Sequence, residues 1–240
     1  VMTMTVEIIR RTSLSQCSEL QHALLDIVRP YYLDPTAVLE RELRHCNVAY
    51  VHRDTHGSIA AFALFAYEEL FVPGEEYVPT LYAGLCAASL TLQKKGMVFK
   101  LWSYACEEAI RWEKEHGKTI LAWATTATPV TYYGASMYHH LEPRLDGSFS
   151  PTSIRYARAL KAKHALGVDH DHPFVLKRYA ISTRYSPFER SAIQQFCASK
   201  QFRIFDLLGI DESQGDRLLM IGRFKQQFGA RVFRHKQGDL

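Results

Sequence analysis

The chain has 240 residues, 47% of them hydrophobic and 22% charged, and 29 Lys and Arg outweigh 25 Asp and Glu for a formal charge of +4. That balance excludes a disordered chain, leaves room for a substantial buried core, and is too modest to call for a nucleic-acid partner. No apolar stretch approaches the roughly 20 residues that span a bilayer, and the N-terminal segment reads as a short strand instead of a signal peptide, so a cytoplasmic location away from membranes is expected. The cysteines at 17, 46, 86, 106 and 197 are odd in number and widely spaced, which suits reduced thiols; no zinc spacing appears among them, and no metal is expected.

Thr5 to Arg11 is an opening strand, and Ser15 is placed to cap a helix whose Leu20, Ala23, Leu24, Ile27 and Val28 share one face up to Pro30. Asp34-Pro35 is an N-cap and N1 proline pair, and it opens a second helix running to about Cys46. Val48 to Arg53 and Ile59 to Phe71, joined at Asp54-Thr55-His56-Gly57, form a β-hairpin. After Pro73-Gly74 an apolar strand begins near Leu81, crosses a turn at Gln93-Lys94-Lys95-Gly96, and continues as a helix to His116 with Gly117 as its stop. Thr119 to Thr125 is a further strand. Thr128-Pro129 opens a helix reaching about His140, where His139 and His140 would face the negative end of the dipole.

Later elements are a basic helix at about 152–166, a polar His170-Asp171-His172 turn, a strand at 173–182, a helix from Ser186 to about Lys200, and a strand at 217–224. A single domain over 1–225 is expected, with a core at 5–141, helical insertions at 142–172 and 186–215, two late closing strands, and a flexible tail at 226–240. On the basic helix Arg155, Arg158 and Lys161 share a face, which reads as a solvated surface or as a dock for a phosphate. Two histidines two residues apart, without a third ligand motif, read as a polar turn and not as a metal site.

The segment from Leu81 to Leu101 carries the most chemical information. A strand running through a basic, glycine-containing turn into a long helix presents unpartnered amides at the positive end of a dipole, which is a place for an anion. The order Gln93-x-x-Gly96-x-Val98 resembles the Gln/Arg-x-x-Gly-x-Gly/Ala turn of the GNAT superfamily of acyl-CoA-dependent N-acyltransferases, with Val98 departing from the small residue usual at its last position. The order of strand, two helices, three strands, helix, strand and helix over residues 5–141 is similar to the core of that superfamily. The resemblance implies an α/β (α+β) fold with a mixed, mostly antiparallel sheet flanked by helices, elaborated here by C-terminal insertions.

It also implies an acyl-CoA co-substrate, acetyl-CoA foremost, with its pantetheine along Leu85, Ala87 and Ser89 and its pyrophosphate at Gln93, Lys94, Lys95, Gly96, Met97 and Val98. The implied reaction is direct acyl transfer to an unidentified small-molecule or peptide amine; the alternative is an inactive GNAT-like domain that binds an acyl-CoA or a protein. A base on the hairpin's second strand would be Glu68 or Glu69. A general acid on the helix after Thr128 would be Tyr133, chosen over Tyr132 and Tyr138. Cys86 on the coenzyme strand has no activating neighbour in sequence and reads as an inert thiol, and a homodimer stays open.

Overall fold

The computed structural model describes residues 5–93, 96–167, 171–200 and 203–225. Lys94, Lys95, His170 and the 226–240 tail therefore lie outside the described residues. The strands are β1 (Val6–Arg10), β2 (Val48–Arg53), β3 (Ile59–Leu70), β4 (Val78–Ala88), β5 (Leu121–Thr126), β6 (His139–Glu142), β7 (Val175–Leu176) and β8 (Arg217–Phe224). The helices are α1 (Ser18–Val28), α2 (Pro35–His45), α3 (Met97–His116), α4 (Pro129–Tyr138), α5 (Pro151–His164), α6 (Pro187–Lys200) and the short α7 (Ile204–Leu207). The strands make one sheet in the order β1-β2-β3-β4-β5-β8-β6, with β7 beside β8. Every pairing is antiparallel except that of β4 with β5.

Local chemistry sets most boundaries. The Asp34 carboxylate accepts from the Ala37 amide at 3.0 Å, capping α2 where Pro35 cannot supply an N–H of its own. The Thr128 hydroxyl accepts from the Val130 amide and starts α4 in the same way. Gly117, at φ +64°, ends α3 in the left-handed region, which a side chain would penalise. At the first helix the expectation needs correction: Ser13, not Ser15, caps a 3₁₀ turn over Leu14–Gln16, and α1 begins only at Ser18.

Strand alternation divides the core into two layers. Tyr50 and Phe65 face α3, where the Phe65 ring meets Trp102 edge-on at 6.2 Å and the Tyr50 hydroxyl donates to Glu108. Tyr82 pairs with Ala66, one residue on from Phe65, so it faces the opposite side and reaches α2. Leu14, Leu24, Leu39, Leu43, Leu64, Leu101 and Phe174 are all less than 2% exposed within these layers. Truncating one such leucine to alanine costs about 2–5 kcal/mol.

The later elements differ from expectation in two places. The anticipated strand at 173–182 shrinks to Val175–Leu176, because Ala180 and Thr183 turn into a 3₁₀ segment anchored to Gly215. The helix expected to reach His140 ends at Tyr138, with the His139 amide donating to the Ala135 carbonyl as its C-cap, and His139 and His140 at once open β6, where His139 pairs with Phe224. Burial lowers the His139 imidazole to about 3, so it stays neutral there. The strand at 217–224 forms as expected and inserts between β5 and β6.

Pairing of β4 with β5 begins at Thr80–Leu121 and ends at Tyr82–Trp123, although both strands continue beyond. On its other side β4 keeps pairing with β3, with one irregularity: the step from Ala63 to Phe65 is matched by a step from Cys86 to Ala83, so β4 carries one extra residue there. Such a bulge bends and twists the strand that holds it. Gly84 sits in the bulge, and a Cβ on it would lie 2.6 Å from Glu42 Oε2 and 2.9 Å from Cys46 Sγ. The bend thus depends on a residue without a side chain.

Gly84→Ala is expected to destabilise the protein by about 1–3 kcal/mol, the usual range for overpacking; an unchanged urea midpoint would show that the bulge is not tightly held. Removing residues 142–240 deletes β7, β8 and the last residue of β6, strips β6 of its partner strand, and leaves β5 as a bare edge. The 1–141 fragment is expected to be insoluble or unfolded, and a soluble fragment with a cooperative melt would show that the core needs no completion.

Candidate active site

Where β4 parts from β5 the sheet opens into a cavity of about 460 Å³. One wall is the freed stretch of β4 from Ala83 to Ala88; opposite lie Ala124 to Thr126 of β5. The floor is the start of α3, with Gly96, Met97, Val98, Phe99 and Trp102, and the start of α4 adds Thr128, Val130 and Thr131. Two helix N-termini therefore open onto one space. Gly96 holds φ +70° with nothing within 4 Å of the position of a Cβ, and among the described residues no side chain caps α3. Uncapped amides at the positive end of a 20-residue helix favour an anion.

The roof comes from later in the chain. Tyr32 and Tyr185 bridge as isolated strand partners, the Leu33 amide donates to the Arg184 carbonyl, and the Ser186 amide donates to the Tyr31 carbonyl. These bonds clamp the start of α6 over the cavity, so that Tyr185 and Glu189 join its lining. Burial raises the Glu189 carboxyl above its ordinary value, and among the described residues no cation pairs with it. The Tyr31 hydroxyl donates to the Ala88 carbonyl at 2.6 Å, closing the far end of the β4 edge.

A smaller chamber of about 60 Å³ adjoins at Ala83, Gly84, Leu85 and Thr125, and Tyr32 and Tyr185 line both spaces. Its distinctive groups are Arg41, Glu42 and Arg217. Glu42 is only 3% exposed, yet its oxygens are committed: Arg41 donates from Nε and Nη2 to Oε1 at 3.1 and 2.8 Å, and the Tyr82 hydroxyl lies 3.1 Å from Oε2. Arg217 is buried with backbone acceptors, the carbonyls of Asp216 and Thr183, and its guanidinium stacks over the Tyr185 ring at 5.4 Å.

Of the coenzyme residues expected from the sequence, Leu85, Ala87, Gln93, Gly96, Met97 and Val98 line the large cavity. Ser89 does not, because its amide is spent on the Ala60 carbonyl and its hydroxyl on Thr91. Cys86 lines the cavity, and burial pushes its thiol up to about 12, which agrees with an inert thiol.

The expected acid and base residues lie elsewhere. Glu68 faces His45 and His164 on the α2 side of the sheet, and Glu69 is an exposed strand-edge residue whose carbonyl accepts from Lys163. Only the first turn of α4 reaches the cavity. Tyr133 is therefore 39% exposed and meets Phe196, while the Tyr132 hydroxyl donates to the Pro143 carbonyl and Tyr138 is buried. Arg155 pairs with Glu75, Arg158 is exposed, and no basic residue of α5 lines the cavity, so that face is not its phosphate dock.

Glu189 escaped sequence reasoning because it lies in the late region, about 100 residues after the strand it faces. Its only local signal is a capping pattern, with Ser186 Oγ accepting from the Glu189 amide at 3.2 Å.

No protein-family model matches the chain, and no curated protein matches it. Among the described residues, no helix is long and apolar enough to cross a membrane. Solved structures give partial similarities. One is the GNAT family N-acetyltransferase YhbS from Escherichia coli in complex with CoA, 13% identical over 55% of this chain and 67% of that one, with a TM-score of 0.40. Another is a ribosomal-protein-alanine N-acetyltransferase from Brucella melitensis biovar Abortus 2308, 16% identical over 57% and 88% of the two chains, with a TM-score of 0.37. A third is an aminoglycoside acetyltransferase from an uncultured soil metagenomic sample, 13% identical over 57% and 89%, with a TM-score of 0.38.

Proposed function

We propose that the chain is a divergent member of the GNAT superfamily that transfers an acyl group, acetyl foremost, from coenzyme A to an amine nitrogen. The observation that carries this reading is the joining, in one largely apolar cavity, of a strand edge without a neighbour to an uncapped helix N-terminus. A buried peptide edge needs hydrogen-bond partners. A pantetheine arm, with its two amides, matches the stretch from Ala83 to Ala88, and a pyrophosphate matches the amides after Gly96. An extended acyl-CoA is thus satisfied at both ends of the cavity. Val98 lines the cavity from the second position of α3, and the uncapped amides of that turn remain available beside it.

In the reaction the amine nitrogen bonds to the acyl carbon, the carbon–sulfur bond breaks, and the sulfur leaves with its electron pair. The nitrogen must shed protons and the departing sulfur must be stabilised or protonated. Glu189 is our candidate proton acceptor: it lines the cavity, lacks a cationic partner among the described residues, and burial makes its carboxylate more basic than usual. Glu42 is less suited because both oxygens are occupied by Arg41 and Tyr82, and we place it instead as fixed negative charge facing an incoming ammonium in the small chamber. Tyr32 and Tyr185 stand where the chambers meet, and burial keeps both phenols protonated at neutral pH, as a proton donor to sulfur requires.

Gly96→Glu is expected to abolish acetyl-CoA binding, because the new carboxylate repels the anion, and to lower stability by about 1–2 kcal/mol, because a side chain at φ +70° is strained even in open space. An unchanged dissociation constant by calorimetry would remove the turn from the site. Glu189→Gln is expected to lower turnover by ~10²–10⁴-fold with acetyl-CoA affinity nearly unchanged. Tyr133→Phe, at an exposed position outside the cavity, should leave turnover within about twofold of wild type, in line with ordinary surface substitutions. Equal turnover in Glu189→Gln and wild type would discard the assignment of the base.

A further inference from the structure

On the α2 side of the sheet, away from the acyl cavity, three side chains from distant parts of the chain converge. His45 is the last residue of α2, Glu68 lies near the end of β3, and His164 is the last residue of α5. His45 Nε2 lies 3.5 Å from Glu68 Oε1, His164 Nε2 lies 3.1 Å from Glu68 Oε2, and one ligand atom from each residue falls within 4.8 Å of the others. His45 Nε2, Glu68 Oε2 and His164 Nε2 are buried, and among the described residues none makes a well-aligned hydrogen bond, although they stand in ion-pair contact. Buried polar atoms without partners are rare and call for a missing partner such as a water or an ion.

We propose that His45, Glu68 and His164 form a binding site for a divalent transition-metal ion, Zn²⁺ being the best match. Two imidazoles and a carboxylate are a donor set that Zn²⁺ accepts, at about 2.0–2.2 Å per ligand, which in a tetrahedron sets donor atoms about 3.4 Å apart. Each imidazole lies near that distance from its own carboxylate oxygen, His45 Nε2 at 3.5 Å from Oε1 and His164 Nε2 at 3.1 Å from Oε2, so the carboxylate turns only slightly to present one oxygen to an ion held by both rings. The rings are held in place by aromatic contacts: His45 stacks on Tyr82 at 4.3 Å, and His164 packs on Trp123 at 4.8 Å. Both histidines also terminate helices, so the negative ends of two dipoles meet at the site and favour a cation.

One cation is already near. Lys163 Nζ approaches Glu68 Oε2 to 3.2 Å while donating to the Glu69 carbonyl at 2.7 Å, and its side chain is 35% exposed. It reaches the carboxylate from outside and competes with a metal ion for it. A bound ion would tie α5 to the sheet through α2 and β3, a structural clasp that rests on no part of the acyl-transfer reading.

The test uses the full chain, stripped with a chelator and titrated with Co²⁺ and then Zn²⁺. The expected result is one site per chain, visible as tetrahedral Co²⁺ absorption that Zn²⁺ bleaches. At a hundredfold excess over the dissociation constant the melting temperature should rise by roughly 5–10 °C. His45→Asn combined with His164→Asn should weaken binding by more than about tenfold. Lys163→Met should tighten it, because the competing charge is gone; a purely structural lysine would not change affinity in that direction, and this surface variant keeps the test valid if the double variant fails to fold. Absence of the cobalt spectrum, no thermal shift with either metal, or Lys163→Met binding no more tightly than wild type would overturn the proposal.

Discussion

The structure turns on the place where two parallel strands stop pairing. From Tyr82 and Trp123 onward β4 and β5 diverge, and a polar backbone edge inside the protein is left without a strand to satisfy it. Leaving peptide groups unpaired in an apolar setting costs free energy that no folding gain at that spot repays. The divergence is nevertheless built in: an extra residue in β4 bends the strand, and Gly84 lets the Glu42 carboxylate and the Cys46 thiol close against the bend. A defect held this firmly supports the proposed reading, in which a ligand brings its own amides to the edge.

The surrounding elements follow from that opening. With β4 and β5 apart, α3 and α4 can both start at the gap, which places two positive helix ends on one space. The residues after 142 then act on both sides of the sheet. One part supplies β8, which covers the outer edge of β5; another crosses to the Tyr31–Leu33 segment and brings Tyr185 and Glu189 over the cavity. α5 runs elsewhere, and its C-terminus meets α2 at His164. The opening is therefore framed largely by residues 83–131, and the chemistry we assign to Glu189 comes from about 60 residues beyond.

Much of the framework was legible because its signals are local. Asp34-Pro35, Thr128-Pro129, Gly117 and the hairpin at Asp54–Gly57 each work within four residues of chain, so the helix starts, the stop and the turn came out where expected. Gly96 likewise marks the start of α3 where the turn was expected. What failed depends on partners far away. His139–Glu142 pairs with β8, some 80 residues later, and without that partner its polar sequence shows the end of a helix but not the strand that follows at once. The strand expected at 173–182 has a suitable composition, yet Asp216 accepts from the Arg178 amide and Gly215 accepts from the Ala180 amide, which turns the chain out of the sheet. Glu68 and Tyr133 were chosen from their places on elements, and only packing decides which face of β3 or α4 meets the cavity. His45 and His164, 119 residues apart by number, share no motif at all.

In the proposed function an acyl-CoA completes the freed edge of β4 and the start of α3. Hydrogen–deuterium exchange of the full chain with and without acetyl-CoA tests it most directly, since backbone amides are the groups said to be waiting. Saturating acetyl-CoA is expected to slow exchange in peptides covering 83–88 and 96–99, with little change along β1 or β6. Binding without protection in those two segments, or no binding at millimolar acetyl-CoA, would contradict the account.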